Sequence, residues 1–180
     1  MAKFEKVSKF AKVDFKMPCR KTKNSAGYDM VVAEDTLVPS LFRAYQEMDE
    51  RYFFGSVETL GLNSIANFMK NDILAPTLVS SGVKCKLADN EYLELSVRSS
   101  TPLKYGLIMA NGVGIVDADY YNCKASEGEI FFQLINLAPF AIKLSRGEKL
   151  GQGIIKTYGL VEDDCAEGER TGGFGSTTES

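Results

Sequence analysis

From Leu78 onward, turn residues recur about every ten positions between short strand candidates, and the segment from Tyr92 to Arg98 alternates apolar with polar side chains. After the Asp89-Asn90 turn, Leu93, Leu95 and Val97 fall on one face of an extended strand, and Glu94, Ser96 and Arg98 on the other. Arg98 therefore leaves the strand on its polar side. Further strands are expected at Leu78–Leu87, Gly114–Asp117, Ile130–Asn136, Ala141–Leu144 and Leu150–Tyr158. Many short strands with frequent turns predict an all-β sandwich or jelly roll, and 180 residues suit a single domain over 1–180.

One stretch departs from this cadence. Leu41, Phe42, Tyr45, Met48, Tyr52 and Phe53 recur at helical spacing, with Ser40 where an N-cap belongs and Gly55 where a helix would stop. A shorter helical pattern covers Asn63 to Lys70. Residues from about 40 to 73 thus read as a helical insertion, its apolar stripe packed on the sandwich or docking another protein. The tail from about 168 to 180 is rich in Gly, Ser and Thr around a single aromatic, Phe174. Its composition predicts a flexible terminus whose backbone N–H groups and hydroxyls could surround phosphate oxygens.

Composition removes several chemistries. The chain has no histidine. Histidine-based nucleophile systems and an HExxH zinc site are excluded, and proton transfer falls to Asp, Glu, Lys, Tyr or Cys. Cys19, Cys85, Cys123 and Cys165 include no CxxC pair and read as reduced thiols. The N-terminus has no apolar leader-like core, and no apolar run approaches the ~20 residues a membrane helix needs. A cytoplasmic protein without a membrane partner is expected. Residues 1–24 carry eight basic and two acidic side chains, yet the chain as a whole is at −3. The basic stretch reads as a solvated strand edge rather than a nucleic-acid surface.

Five short segments carry candidate chemistry: Ala26-Gly27-Tyr28-Asp29, Arg98-Ser99-Ser100, Asn111 to Tyr120 (NGVGIVDADY), Gly147 to Gln152 (GEKLGQ), and Arg170 with the following TGGFGST. Each alone is an ordinary turn. In this order and spacing they resemble the five motifs of the homotrimeric dUTP pyrophosphatases (dUTPases), and the resemblance extends to a phage-type member carrying a helical insertion. It covers most of the chain outside 40–73 and the extreme N-terminus.

The resemblance implies a β-clip jelly roll assembled as a homotrimer with shared active sites, hydrolysing dUTP to dUMP and pyrophosphate. Asn111 and the backbone of Gly114, Ile115 and Val116 would pair with the uracil edge. Cytosine, with the opposite donor and acceptor pattern, would leave groups unpaired at a cost on the order of 1–3 kcal/mol each. Thymine would clash through its methyl group. Tyr120 would pack under the deoxyribose and reject a 2′-hydroxyl. Asp117 would be the general base that activates water for in-line attack on the α-phosphorus. Mg²⁺ would span the phosphates, with Asp29 holding it through water. Arg98, Ser99, Ser100 and Gln152 would position the phosphates and the water. Phe174 would stack on the base, while Arg170, Gly175, Ser176 and Thr177 close over the outer phosphates.

The chain departs from the family pattern in four places. Asn122 stands in a customary glycine position, where a positive φ would suit asparagine best among non-glycine residues. The arginine motif at Arg170 is one residue short, the stretch 122–128 is longer than usual, and the 40–73 insertion is extra. Two alternatives differ in class. A dCTP deaminase of the same fold would need a glutamate where Gln133 stands. A nucleotide-gated regulator would act through the insertion.

Overall fold

A computed structural model describes residues 1–42, 76–168, 170 and 173. Among them, eleven strands run β1 (Lys3–Lys6), β2 (Tyr28–Val31), β3 (Thr36–Val38), β4 (Thr77–Ser80), β5 (Val83–Lys86), β6 (Glu91–Val97), β7 (Leu107–Met109), β8 (Gly114–Asp117), β9 (Phe131–Asn136), β10 (Ile142–Leu144) and β11 (Lys149–Thr157). One helix, α1 (Ser100–Tyr105), follows β6. Every strand pairing is antiparallel. The all-β expectation holds. No helix among the described residues is long and apolar enough to cross a membrane.

A four-stranded sheet in the order β2-β11-β6-β8 carries most of the candidate residues, and a three-stranded sheet, β4-β9-β7, packs against it. The contact between them is close at Gly151 on β11. A Cβ there would lie 2.1 Å from Cε1 of Phe132, a fully buried side chain of β9. Alternation in β6 places Leu93 and Leu95 in the core beside Met30, Leu134 and Val116.

The expected strand at 78–87 is two strands. Gly82, at φ +67°, turns the chain between β4 and β5, a conformation that costs glycine little. Helix α1 was not anticipated, although its signals are present: Pro102 in the first turn and Gly106 at the end, left-handed at φ +64°. The N-terminal basic stretch does form an edge, since β1 pairs with β5. Part of its charge is structural, because Lys6 Nζ donates to the Val13 carbonyl at 2.6 Å and Lys9 pairs with Glu34 at 2.7 Å.

The insertion begins at a fixed point. Ser40 Oγ accepts from the Phe42 N–H at 3.2 Å, the capping bond expected of it, and donates to the Ala138 carbonyl at 2.5 Å. The buried Asn136 amide joins the same corner by donating to Val38 and Phe140 carbonyls at 3.0 and 2.9 Å. From residue 43 to 75 the insertion lies outside the described residues, as do Phe174, Gly175, Ser176 and Thr177.

Candidate active site

Two groups of candidate residues form, at different ends of the four-stranded sheet. The first surrounds β8. This strand ends at Asp117, held opposite Tyr92 of β6, and the chain then makes a short 3-10 turn that presents Tyr120. Asn111, Gly114, Ile115, Val116, Asp117 and Tyr120 line one cavity of about 230 Å³, together with Arg170 and Gly173 from the tail. The sequence-derived base-reading residues and the proposed base therefore share one hollow. The Asp117 side chain is about half exposed, at 46 %.

Arg170 enters this hollow rather than joining Arg98, Ser99, Ser100 and Gln152. Its guanidinium forms an ion pair with Asp117, and Nε donates to Asp119 Oδ1 at 2.7 Å. Its Cζ also lies 5.9 Å from the centre of the Tyr120 ring. At Gly173 an added Cβ would sit 2.8 Å from Tyr120 Cε2, so only glycine lets the tail backbone lie against that ring. Burial pushes the Tyr120 phenol above its usual pKa, which keeps it neutral and a hydrogen-bond donor.

The second group lies where β2, β11 and β6 run side by side. Asp29, Gln152 and Ser96 face each other across the three strands. Lys149 Nζ binds Asp29 Oδ2 at 2.6 Å, and Arg98 Nε lies 3.4 Å from Oδ1. Gln152 Nε2 donates to Ser96 Oγ at 3.3 Å. Ser99 and Ser100 begin α1 immediately after Arg98. One carboxylate between two cations leaves this edge net positive, suited to polyphosphate. Lys149 was missed from sequence. Its motif reads as a turn, and its partner lies 120 positions away.

Within one chain the two groups do not meet. Tyr92, opposite Asp117, and Ser96, opposite Gln152, are four residues apart on β6. That spacing is roughly 13 Å along the strand. Asp117 and Gln152 also lie on opposite flanks of β6.

The segment after Tyr120 is ordered by its own bonds. Asn122 has φ +61°, so the substitution for glycine occurs where the backbone is left-handed and asparagine is well tolerated. Lys84 reaches Glu127 Oε1 at 2.7 Å. Hydrogen bonds from the Lys84 ammonium and then from Ser8 hold the Glu127 carboxyl down to about 2. A carboxyl depressed on folding contributes stability above its unfolded pKa, near ~4.3, and loses it as pH falls toward the folded value. Glu127→Gln is therefore expected to lower Tm near neutrality and to narrow its gap from wild type as pH drops toward about 2. A constant gap across that series, measured by thermal melts, would remove Glu127 from this role.

Fold and site together define an antiparallel β-sandwich with a small polar cavity at one strand end and a cationic edge at another. No family model matches the chain. It is 31 % identical to the deoxyuridine 5′-triphosphate nucleotidohydrolase of Lactococcus lactis over 97 % of this chain and 95 % of the relative. It is 34 % identical to that of Wolinella succinogenes, over 59 % of this chain and 71 % of the relative. The crystal structure of the Streptococcus mutans dUTPase superposes with a TM-score of 0.65 at 31 % identity, covering 88 % of this chain and 98 % of that one. The dUTPase of S. aureus phage phi11, which carries a species-specific insert, shares the fold at a TM-score of 0.60 and 16 % identity, covering 93 % and 97 %. The chain belongs to the dUTPase family.

Proposed function

We propose that this chain hydrolyses dUTP to dUMP and pyrophosphate, with Asp117 as general base, in a homotrimer whose sites lie between protomers. The observation that carries the reading is the placement of Asp117 beside Asn111, the Gly114–Val116 backbone and Tyr120 in one cavity. Uracil would pair with the Asn111 amide and the β8 backbone, and the sugar would rest against Tyr120. Asp117, at the end of β8, would take the proton of the attacking water. Arg170 must then release Asp117 and turn toward the outer phosphates, a change that substrate charge favours because polyphosphate competes for the guanidinium. Phe174, Gly175, Ser176 and Thr177 are proposed to close over the nucleotide.

The distance between the two residue groups supports shared sites. Arg98, Ser99, Ser100, Gln152 and Lys149 would serve the phosphates of a nucleotide whose base sits in a neighbouring protomer's β8 cavity.

Mg²⁺ enters as an ion carried by substrate. Among the described residues no group of three or more His, Cys, Asp or Glu side chains could hold a metal by itself. Mg²⁺ does not need such a group, because it retains waters and binds phosphates with one or two carboxylates. Asp29 would hold it through water, its remaining lone pairs being free while Lys149 and Arg98 fix the carboxylate. When bound, the ion offsets the triphosphate charge. A dUTPase of phage phi11 has a structural Mg(II) ion.

The deaminase alternative is disfavoured at the same cavity. Gln133 lines it, and an amide cannot serve as base. The Glu129 carboxyl also lines the cavity, but it is tied to the Ser80 hydroxyl. Pyrophosphate release from dUTP, dTTP, dCTP and UTP, with and without Mg²⁺, tests the reading. Release from dUTP alone, faster with Mg²⁺, is expected. Ammonia from dCTP, or no turnover of dUTP, would overturn it.

A further inference from the structure

A tyrosine wall selects between sugars only if it cannot recede. The Tyr120 side chain is buried, and its phenol is fastened from behind. Oη lies 3.0 Å from the Glu129 carbonyl and 2.8 Å from Ser126 Oγ. A carbonyl only accepts, so the single phenolic proton goes to Glu129 and the Ser126 hydroxyl donates to Oη. The Ser126 oxygen is then left to accept from Cys123 Sγ, 3.1 Å away. The phenol is thus held by two bonds, to Glu129 and to Ser126.

Ser126 is itself placed by a loop with little freedom. Glu127 N–H donates to the Cys123 carbonyl at 2.8 Å, and Asn122 N–H to the Glu127 carbonyl at 3.2 Å. Two non-glycine residues, Asn122 and Glu127, hold positive φ, and Gly128 follows at +78°. A Cβ at Gly128 would lie 2.5 Å from the Tyr120 carbonyl oxygen. The nearly buried Lys84 clamps both ends, reaching Asn122 Oδ1 at 2.6 Å and Glu127 Oε1 at 2.7 Å. Ser8 N–H adds a bond to Glu127 Oε2 at 2.9 Å. Backbone in such conformations persists only where the surroundings over-determine it, and it concentrates at functional sites.

We propose that Ser126 is a positioning residue for sugar selection, tethering the Tyr120 phenol so that the ring stays as a fixed wall against a ribose 2′-hydroxyl. This rests on the reading of the cavity as a deoxyuridine nucleotide site. The longer-than-usual stretch after Tyr121 thereby gains a function: it places the tether.

The test compares kcat/KM for dUTP and UTP in Ser126→Ala, Ser126→Thr, Tyr120→Phe and the Ser126→Ala/Tyr120→Phe double variant. Ser126→Ala is expected to lower the dUTP:UTP preference roughly tenfold, about the worth of one hydrogen bond, chiefly through a lower KM for UTP. Ser126→Thr keeps the hydroxyl and restores the preference. Tyr120→Phe, which removes the bonds to both Ser126 and Glu129, lowers it at least as far, and the double variant is no worse than Tyr120→Phe, because that variant already lacks the Ser126 bond. An unchanged preference in a Ser126→Ala protein of wild-type Tm overturns the tether, as do additive effects in the double variant. Where Ser126→Ala yields no folded protein, Ser126→Gly, which also removes the hydroxyl's bond to the phenol, decides, and an unchanged preference overturns the proposal. Failure of the wild-type chain to turn over dUTP overturns the nucleotide reading and the tether together. A wild-type preference for dUTP that neither variant alters overturns the tether alone.

Discussion

Asp117→Asn is expected to lower kcat for dUTP by at least about two orders of magnitude, within the range a positioned general base contributes. The substitution is nearly isosteric, and the backbone at 117 stays pinned by its pairing with Tyr92 across β6 and β8. The cavity built from Asn111, Gly114 and Tyr120 should therefore keep its shape and its affinity. An amide has no lone pair basic enough to take a proton from water, so the loss falls on kcat rather than KM. The variant also weakens the ion pair that Arg170 makes with Asp117. A freed guanidinium would aid phosphate binding, so KM is expected to hold steady or fall. Steady-state kinetics check this directly: near-normal kcat would remove Asp117 from its assigned part.

Gly151→Ala is the second large effect, and it acts on the fold. An added methyl at this position would sit 2.1 Å from Phe132 Cε1 and 2.8 Å from the Ser96 carbonyl oxygen. Phe132 is fully buried in the facing sheet, where side chains are close-packed and a ring has little room to yield. The Ser96 oxygen belongs to the neighbouring strand and cannot move without disturbing the β6–β11 ladder. Overpacking of this kind costs about 3 kcal/mol, a large part of a typical domain's stability. A clear drop in the urea midpoint with unchanged m-value is expected. A midpoint equal to wild type would mean that the two sheets are not in contact at this position.

Much of this was readable before any coordinates, for identifiable reasons. β8 runs from Gly114 to Asp117 as its pattern suggested, because alternation and flanking turns are local properties. The departure at Asn122 pointed to a left-handed residue, since few side chains other than glycine and asparagine occupy that region readily. Helix α1 escaped notice at six residues, too short to show a period, though Pro102 and Gly106 mark its ends. The break at Gly82 was marked by Ser80-Ser81-Gly82, a turn signal that the reading of one strand over 78–87 ran through.

Residue type and order alone were enough to rule out histidine chemistry and to call for a sandwich of short strands, because these follow from side-chain inventory and near-neighbour spacing, whereas Asp117 stood out only through the resemblance of its motif to the dUTPase family. Which charges meet was settled only by folding. Lys149 finds Asp29, and Arg170 finds Asp117 and Asp119. Ser126 meets the Tyr120 phenol in a loop that Lys84, from β5, holds at Asn122 and Glu127. Pairings across 38 to 120 positions depend on strand register and loop closure, and no local pattern along a chain encodes them.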